Sequence, residues 1–359
     1  MNKMNELRLQ LNEVNHQLLK LLNARAEFVQ EIGFAKEQLG LPKFDPEREQ
    51  QMLDDLISLN KGPFSDNTIR FLFKEIFKAS LDLQQHEQTK KLLVSRKMKN
   101  TDTIIEVKGV QIGGGWNHLI AGPCSVESIQ QMRRIASELK DMGIQILRAG
   151  AYKPRTSPYD FQGLEIEGLK ILKEVAEEFH LITVSEVTNP RHLDFFPEYV
   201  DILQIGARNM QNFELLKAVG ESNTPVLLKR GIAATLEEYL LAAEYIISRG
   251  NPNVMLIERG IRTYEKWTRN TLDISAVPIL KRESHLPVFV DVSHSTGRKD
   301  IVAPCAKAAL AAGADGIMVE VHPNPSVAMS DAHQQLNIDE FKQFWEQLHQ
   351  SGLFKPCKL

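Results

Sequence analysis

Two apolar runs, LPVFVDV and GADGIMVEV, are closed by ionisable groups: His294 just after the first and Glu320 at the end of the second, with Asp331 on the stretch beyond. Each run has the length of a buried strand, and residues 300–313 between them are alanine-rich with helical spacing. Polar groups at the carboxyl ends of successive parallel strands are where α/β barrels place their chemistry. With Cys124 these residues make a set of one thiol, one imidazole and two carboxylates. Such mixed donors suit a divalent transition metal, with manganese, iron, cobalt and zinc all admissible. The four are far apart in sequence, so spacing alone leaves open an ordinary buried cysteine and scattered surface charges. His322 and His333 lie nearby and read as structural or supporting residues.

A second group of side chains sits at the ends of further apolar runs. It comprises Arg148 with Lys153 and Arg155, Glu186, Gln204 with Arg208, Lys229 with Arg230, and Glu258 with Arg259 and Arg262. Any one of them alone reads as a loop charge on the surface. Together they put an ionisable group at nearly every strand end on one face. Cations gathered in one mouth repel unless anions sit among them, which points to substrates rich in phosphate and carboxylate. The arginine fork suits both groups. Lys229 at a strand end also admits a metal-free aldolase that works through a Schiff base.

The elements that position these groups alternate strand and helix. Strands are expected at 118–122, 145–148, 182–185, 202–205, 226–229, 254–258, 288–292 and 316–321, with helices between them at 128–143, 163–179, 212–219 and 236–249. Eight such units predict an α/β fold, a (β/α)8 TIM barrel. An open doubly wound sheet is the alternative, but AGPCSVES lacks the glycine fingerprint expected after its first strand. Residues 103–115, TIIEVKGVQIGGG, alternate and then turn glycine-rich, as a strand pair capping the barrel floor would.

The first part of the chain is helical instead. Leu7, Leu11, Val14, Leu18, Leu21, Phe28 and Ile32 recur at helical steps, giving one long helix over 4–38. Its length suggests a bundle or an intertwined partner. Gly40 and Pro42 break it, and Asp45-Pro46-Glu47 supplies a cap, a first-turn proline and an acid for a second helix. A third helix runs from Asp66 to about residue 85. Residues 86–100, HEQTKKLLVSRKMKN, are polar and basic without an apolar face. The expected organisation is a helical domain at 1–88, a linker at 89–102 and the barrel at 103–359.

Composition is that of an ordinary globular protein, with 43% hydrophobic and 25% charged residues. A net charge of −3 sets up no global field for nucleic acid or an anionic membrane. No apolar run approaches the length of a membrane span, and MNKMNELRLQ does not read as a signal peptide. Cys124, Cys305 and Cys357 do not form a disulfide framework, so a cytoplasmic protein with reduced thiols is expected. Trp116, Trp267 and Trp345 read as packing residues.

The segments LRLQLNEVNHQLLKLLNARAEFVQEIGFAK, FDPEREQQML and IFKASLDLQ resemble the all-helical chorismate mutases over roughly the first 85 residues. The resemblance implies that Arg8, Arg25, Lys36 and Arg48 bind the carboxylates and ether oxygen of chorismate. Asp45, Glu49, Ser80 and Gln84 would complete the pocket. It also implies an intertwined dimer in which Arg8 reaches the partner's site. Asn15 departs from the family, which often has an acid there. A pericyclic rearrangement needs no nucleophile, only a pocket that fixes the reactive conformer and stabilises charge on the breaking bond.

The segments AGPCSVES, ILRAGAYKPRTSPYDFQG, QIGARNMQN, VLLKRG, ERGIRTYE, VDVSHSTGR and VEVHPNPSVAMSD resemble 3-deoxy-D-arabino-heptulosonate 7-phosphate (DAHP) synthase, in the branch related to 3-deoxy-manno-octulosonate 8-phosphate synthase. This resemblance implies a divalent metal at Cys124, His294, Glu320 and Asp331. It implies phosphoenolpyruvate held by Arg148, Lys153, Arg208, Lys229 and Arg259. Erythrose 4-phosphate would be held by Lys153, Arg155 and Thr156. The octulosonate relatives typically have Ala-Asn where this chain has Pro154-Arg155, which favours the four-carbon aldose. Together the resemblances imply a bifunctional chain of the aromatic pathway, forming tetramers through its barrels. The helical domain could also sense chorismate or prephenate and so regulate the barrel, or be chiefly such a binding module.

Overall fold

The computed structural model describes residues 3–39, 41, 45–89, 92–155 and 157–356; the side chains of 37, 82 and 84–89 lie outside that description. The chain divides into two compact units, Met1–Leu92 and Leu93–Leu359.

Among the described residues the first unit has three helices: α1 (Lys3–Gln38), α2 (Pro46–Ser58) and α3 (Asp66–Thr89). The expected break at Gly40 and Pro42 lies outside the described residues. Asp45 caps α2 as its sequence predicts, its carboxylate accepting from the Arg48 N–H at 3.0 Å ahead of Pro46 in the first turn. Both α1 and α2 pack on α3, burying Leu53 and Phe77. At 36 residues, α1 is about 54 Å long. Its apolar row Leu7, Leu11, Val14, Leu18 and Leu21 stays more than half exposed.

The second unit begins with a hairpin, β1 (Ile105–Val107) and β2 (Val110–Ile112). Lys108 and Gly109 between them both take positive φ, 47° and 82°, the backbone of a two-residue turn whose twist matches its strands. Eight parallel strands then close a barrel. They are β3 (His118–Gly122), β4 (Ile146–Arg148), β5 (Ile182–Glu186), β6 (Ile202–Ile205), β7 (Val226–Lys229), β8 (Val254–Glu258), β9 (Val288–Asp291) and β10 (Gly316–Glu320), with β10 hydrogen-bonded back to β3. The open-sheet alternative is thereby excluded. The main helices around it are α4 (Ile129–Asp141), α5 (Glu165–Phe179), α6 (Phe213–Gly220), α7 (Leu236–Ile247), α8 (Ala276–Glu283), α9 (Val292–Thr296), α10 (Val302–Ala311) and α11 (Ile338–Gln350).

Every barrel strand is buried along its length, which is why each reads as a continuous apolar run rather than an alternating one. Ile120, Ile146, Leu227, Ile257, Phe289 and Met318 share one core with Ile105, Val107 and Ile112 of the hairpin. The hairpin therefore plugs the barrel at the end opposite the strands' carboxyl termini.

Residues 89–102 were expected to form a linker, and from 93 onward they do not. The Leu93 and Val94 N–H groups both donate to the Glu244 carboxylate at 3.0 Å. Ser95 bridges Ser284, and Arg96 bonds the Lys281 carbonyl at 2.7 Å and Asp102. The basic composition concealed this because backbone N–H groups and two small buried residues, Val94 and Ser95, make the attachment.

Candidate active site

Six barrel strands terminate in a charged residue: Arg148, Glu186, Lys229, Glu258, Asp291 and Glu320. The apolar run ends where the strand leaves the core: Arg148, Glu186 and Lys229 then face the mouth, whereas Glu258 is bound to Arg230. Gly122 closes β3 at φ 149°, and a Cβ there would stand 2.1 Å from the Arg148 carbonyl. Only glycine lets the chain turn toward Cys124 beside β4. A Cβ on Gly206 would lie 2.0 Å from Glu186 Oε1, so this glycine makes room for a carboxylate.

Cys124, His294, Glu320 and Asp331 meet at this mouth, each offering a donor atom within 4.8 Å of the others. Asp291 caps α9 by accepting from the His294 N–H at 2.9 Å, and its Oδ2 lies 2.8 Å from Nδ1 of the same residue. That contact turns Nε2 toward Glu320 Oε1 at 3.4 Å and Asp331 Oδ2 at 3.6 Å. Burial lowers the imidazole's pKa, and the neighbouring Asp291 and Glu320 carboxylates oppose that shift. Cys124 Sγ lies 2.9 Å from Ser330 Oγ and 3.0 Å from Lys153 Nζ. Burial, with Glu320 adding to it, pushes the thiol up to about 11.

Burial likewise works against the charged form of Glu320, but His294 and Arg148 hold it below the usual carboxylate range. For Asp331, burial is overcome by His294 and Arg269. Acceptor atoms that converge this tightly are mutually unfavourable until a cation stands among them. One thiol, one imidazole and two carboxylates fit a divalent transition metal.

Beside the cluster is a cavity of about 350 Å³, within the usual size range of small-molecule sites. Arg148, Lys153, Arg155, Arg208, Lys229 and Arg259 all line it. Arg148 Nη1 donates to Glu320 Oε1 at 3.0 Å. Lys153 Nζ donates to the Cys124 carbonyl at 3.0 Å as well as contacting its sulfur. Arg155 donates to the Phe161 carbonyl at 3.1 Å and to Ser330 Oγ. Thr156 lies outside the described residues. Arg230 turns away, bound to Glu258 and Asp273 at 2.9 Å each.

The helical unit has its own cavity of about 570 Å³, which Arg25, Lys36, Asp45, Arg48, Glu49 and Ser80 line. Arg25 lies over the Phe77 ring at 5.0 Å and donates to Ser80 Oγ at 2.5 Å, and burial lowers its pKa. Arg8 is exposed on α1 and is not among the residues lining this cavity. The side chain of Gln84 lies outside the described residues.

Arg269, Asn270 and Asp160 also line the barrel cavity, and Gln334 contacts the two carboxylates of the cluster. None had been singled out. They sit on irregular loops, where no apolar run or periodicity marks a position as facing inward. Trp267, expected to pack, is 78% exposed, whereas Trp345 packs on Phe354 at 5.0 Å. His322 is buried against Glu127 at 3.3 Å, as a supporting residue would be.

Comparison with known proteins gives concordant results for both units. Residues 94–353 match the model of the DAHP synthetase I family, and residues 7–85 match that of chorismate mutase type II. Phospho-2-dehydro-3-deoxyheptonate aldolase of Thermotoga maritima is 54% identical over 256 residues, covering 71% of this chain and 76% of the relative. The 2-dehydro-3-deoxyphosphooctonate aldolase of Desulfosudis oleivorans is 30% identical over 259 residues, covering 67% and 92%. The crystal structure of the Thermotoga maritima heptonate aldolase (DAHP synthase) superposes with a TM-score of 0.72 at 51% identity, over 74% of this chain and 78% of that one. A truncated form of 3-deoxy-D-arabino-heptulosonate 7-phosphate synthase from Thermotoga maritima gives a TM-score of 0.68 at 48% identity, over 74% and 98%.

Proposed function

We propose a function from one premise: the chain belongs to the DAHP synthetase I family. The barrel condenses phosphoenolpyruvate with erythrose 4-phosphate and water to give DAHP and inorganic phosphate. The helical domain, which matches chorismate mutase type II, rearranges chorismate to prephenate. The observation that carries the first activity is the meeting of a four-donor cluster with eight lysine and arginine side chains at one barrel mouth.

Cys124, His294, Glu320 and Asp331 would hold the divalent metal, which supplies Lewis-acid polarisation of an aldehyde and a template for it. Arg148, Arg208, Lys229 and Arg259 bind the phosphate and carboxylate of phosphoenolpyruvate, their charges offset by Glu186, Asp291 and Glu320. Arg155, with Thr156, binds the aldose phosphate. Fixing both substrates brings the enol methylene carbon onto the aldehyde carbon. A carbon–carbon bond forms there, water adds at the adjacent carbon, and phosphate leaves by carbon–oxygen cleavage. Lys153, held by Cys124, is the ammonium placed to neutralise or protonate an oxygen beside the cluster.

In the helical domain Arg25, Lys36 and Arg48 bind the dianion, with Asp45, Glu49 and Ser80 around it. Two features support an intertwined dimer: the exposed apolar row on α1, and an Arg8 that does not line its own cavity. In such a dimer Arg8 completes the partner's site. Among the described residues no helix is long and apolar enough to cross a membrane, and we place the enzyme in the cytoplasm.

The test is substrate choice. The chain supplied with phosphoenolpyruvate should release phosphate with erythrose 4-phosphate and not with arabinose 5-phosphate, and should separately consume chorismate. Release only with the five-carbon sugar would overturn the substrate assignment.

A further inference from the structure

Arg269 lies on the loop between β8 and α8, and that loop is attached to the helix carrying His294. The Arg269 N–H donates to the Thr296 carbonyl and the Asn270 N–H to the Ser295 carbonyl, both at 2.9 Å. Asn270 Nδ2 donates to the His294 carbonyl at 2.8 Å. A Cβ on Gly297 would stand 2.5 Å from the Arg269 Cβ, so the loop approaches α9 as closely as glycine permits.

From this anchored position Arg269 Nη1 donates to Asp331 Oδ2 at 3.0 Å and to Gln334 Oε1 at 2.7 Å. Gln334 Nε2 in turn donates to Glu320 Oε2 at 2.5 Å and reaches Asp331 Oδ2 at 3.4 Å. The guanidinium fixes which way this buried amide points. With its oxygen on the cation, its nitrogen must face the carboxylates, and the reverse setting would place oxygen against oxygen. Asp331 needs such support because its backbone sits at φ 48°, a region disfavoured for a side chain with a Cβ.

We propose that Arg269 and Gln334 are positioning residues that act as one clamp. They aim the carboxylates of Asp331 and Glu320 at a divalent cation and tie them to the helix that carries His294. The inference rests on the reading of the four-donor cluster as a metal site. A carboxylate oxygen has lone pairs to spare, so one can accept from Arg269 while another is left for the metal. Without the clamp Asp331 keeps only its longer contacts to His294 and Cys124, and Glu320 keeps Arg148 and His294 on its other oxygen.

Calorimetric titration with Co²⁺, read together with the thiolate-to-cobalt absorption band, tests this. The proteins are the full chain, Arg269→Met, Gln334→Leu, the double variant, Arg269→Lys and Cys124→Ser. Each single clamp variant is expected to bind Co²⁺ about 10–100-fold more weakly with an altered band. The double variant should lose little beyond the worse single one, because the two residues form one unit. Arg269→Lys should fall between, since an ammonium keeps the charge but lacks the fork. Unchanged affinity and band in both single variants would overturn the inference, as would losses that multiply in the double variant. A parent chain without a thiolate band, or one whose band survives Cys124→Ser, would overturn the metal reading itself and the clamp with it. If Gln334→Leu fails to fold, Arg269→Met, at a side chain 39% exposed, decides alone.

Discussion

Lys229 Nζ lies 2.5 Å from Asp291 Oδ2, and that same oxygen stands 2.8 Å from His294 Nδ1. One buried carboxylate thus neutralises the lysine and stands against the imidazole. Burial lowers the Lys229 pKa and Asp291 opposes it. Asp291→Asn removes both services with little change of shape. An unpaired buried ammonium costs about 3–5 kcal/mol, so the melting temperature of the barrel should fall and metal affinity should fall with it. Adding Lys229→Met should recover most of the stability and none of the affinity. Calorimetric melting and metal titration of both variants check this. Recovery of affinity in the double variant would show that Asp291 does not act on His294.

In the helical domain Arg25 is the cation whose position is best determined, between the Phe77 ring and Ser80 Oγ. Arg25→Ala is expected to lower the turnover of chorismate by about 10²–10³-fold, the usual cost of losing one preorganised charge donor. Ser80→Ala removes only the support of that donor and should cost less. Chorismate consumption measures both, and turnover that survives Arg25→Ala would remove Arg25 from the catalytic set.

Much of the barrel was visible before any coordinates. The strands expected at 118–122, 202–205, 226–229 and 254–258 have those same ends. The reason is physical: a strand buried on both faces is an apolar run, and it stops where a charged residue reaches the mouth, as at Lys229. The same reasoning brought Cys124, His294 and Glu320 into view. Arg269 and Gln334 escaped it because they lie on irregular loops and are defined by partners rather than by pattern. The attachment of residues 93–102 escaped for a related reason, since its main contacts are backbone N–H groups donating to Glu244 across some 150 residues of sequence.

His118 opens β3 at the plugged end of the barrel and is buried, its imidazole bonded to the Gln111 backbone. Burial lowers its pKa from the usual 6.5 to about 4. The unfolded chain then binds the proton more readily than the folded one. The stabilising contribution is therefore complete above about pH 6.5 and is lost as the pH falls toward 4. Full protonation would cost about 3 kcal/mol. The melting temperature of the parent chain should fall more steeply between these limits than that of His118→Gln. Parallel curves would contradict the assignment.

Ser330 Oγ accepts from Arg155 and lies 2.9 Å from Cys124 Sγ. It links the cation proposed for the aldose phosphate to the four-donor cluster. Ser330→Ala should raise the KM for erythrose 4-phosphate about 10-fold, the worth of one hydrogen bond to a charged group, with the KM for phosphoenolpyruvate unchanged. An equal rise in both would place Arg155 on the other substrate.

The most direct measurement is DAHP formation by the full chain, first stripped with a chelator and then reloaded with one divalent metal at a time. With Cys124, His294, Glu320 and Asp331 gathered at the mouth, activity should vanish on stripping and return on reloading, while chorismate consumption by the helical domain continues throughout. Condensation that survives complete metal removal, with borohydride trapping substrate on Lys229, would contradict the metal site and point to Schiff-base chemistry in its place.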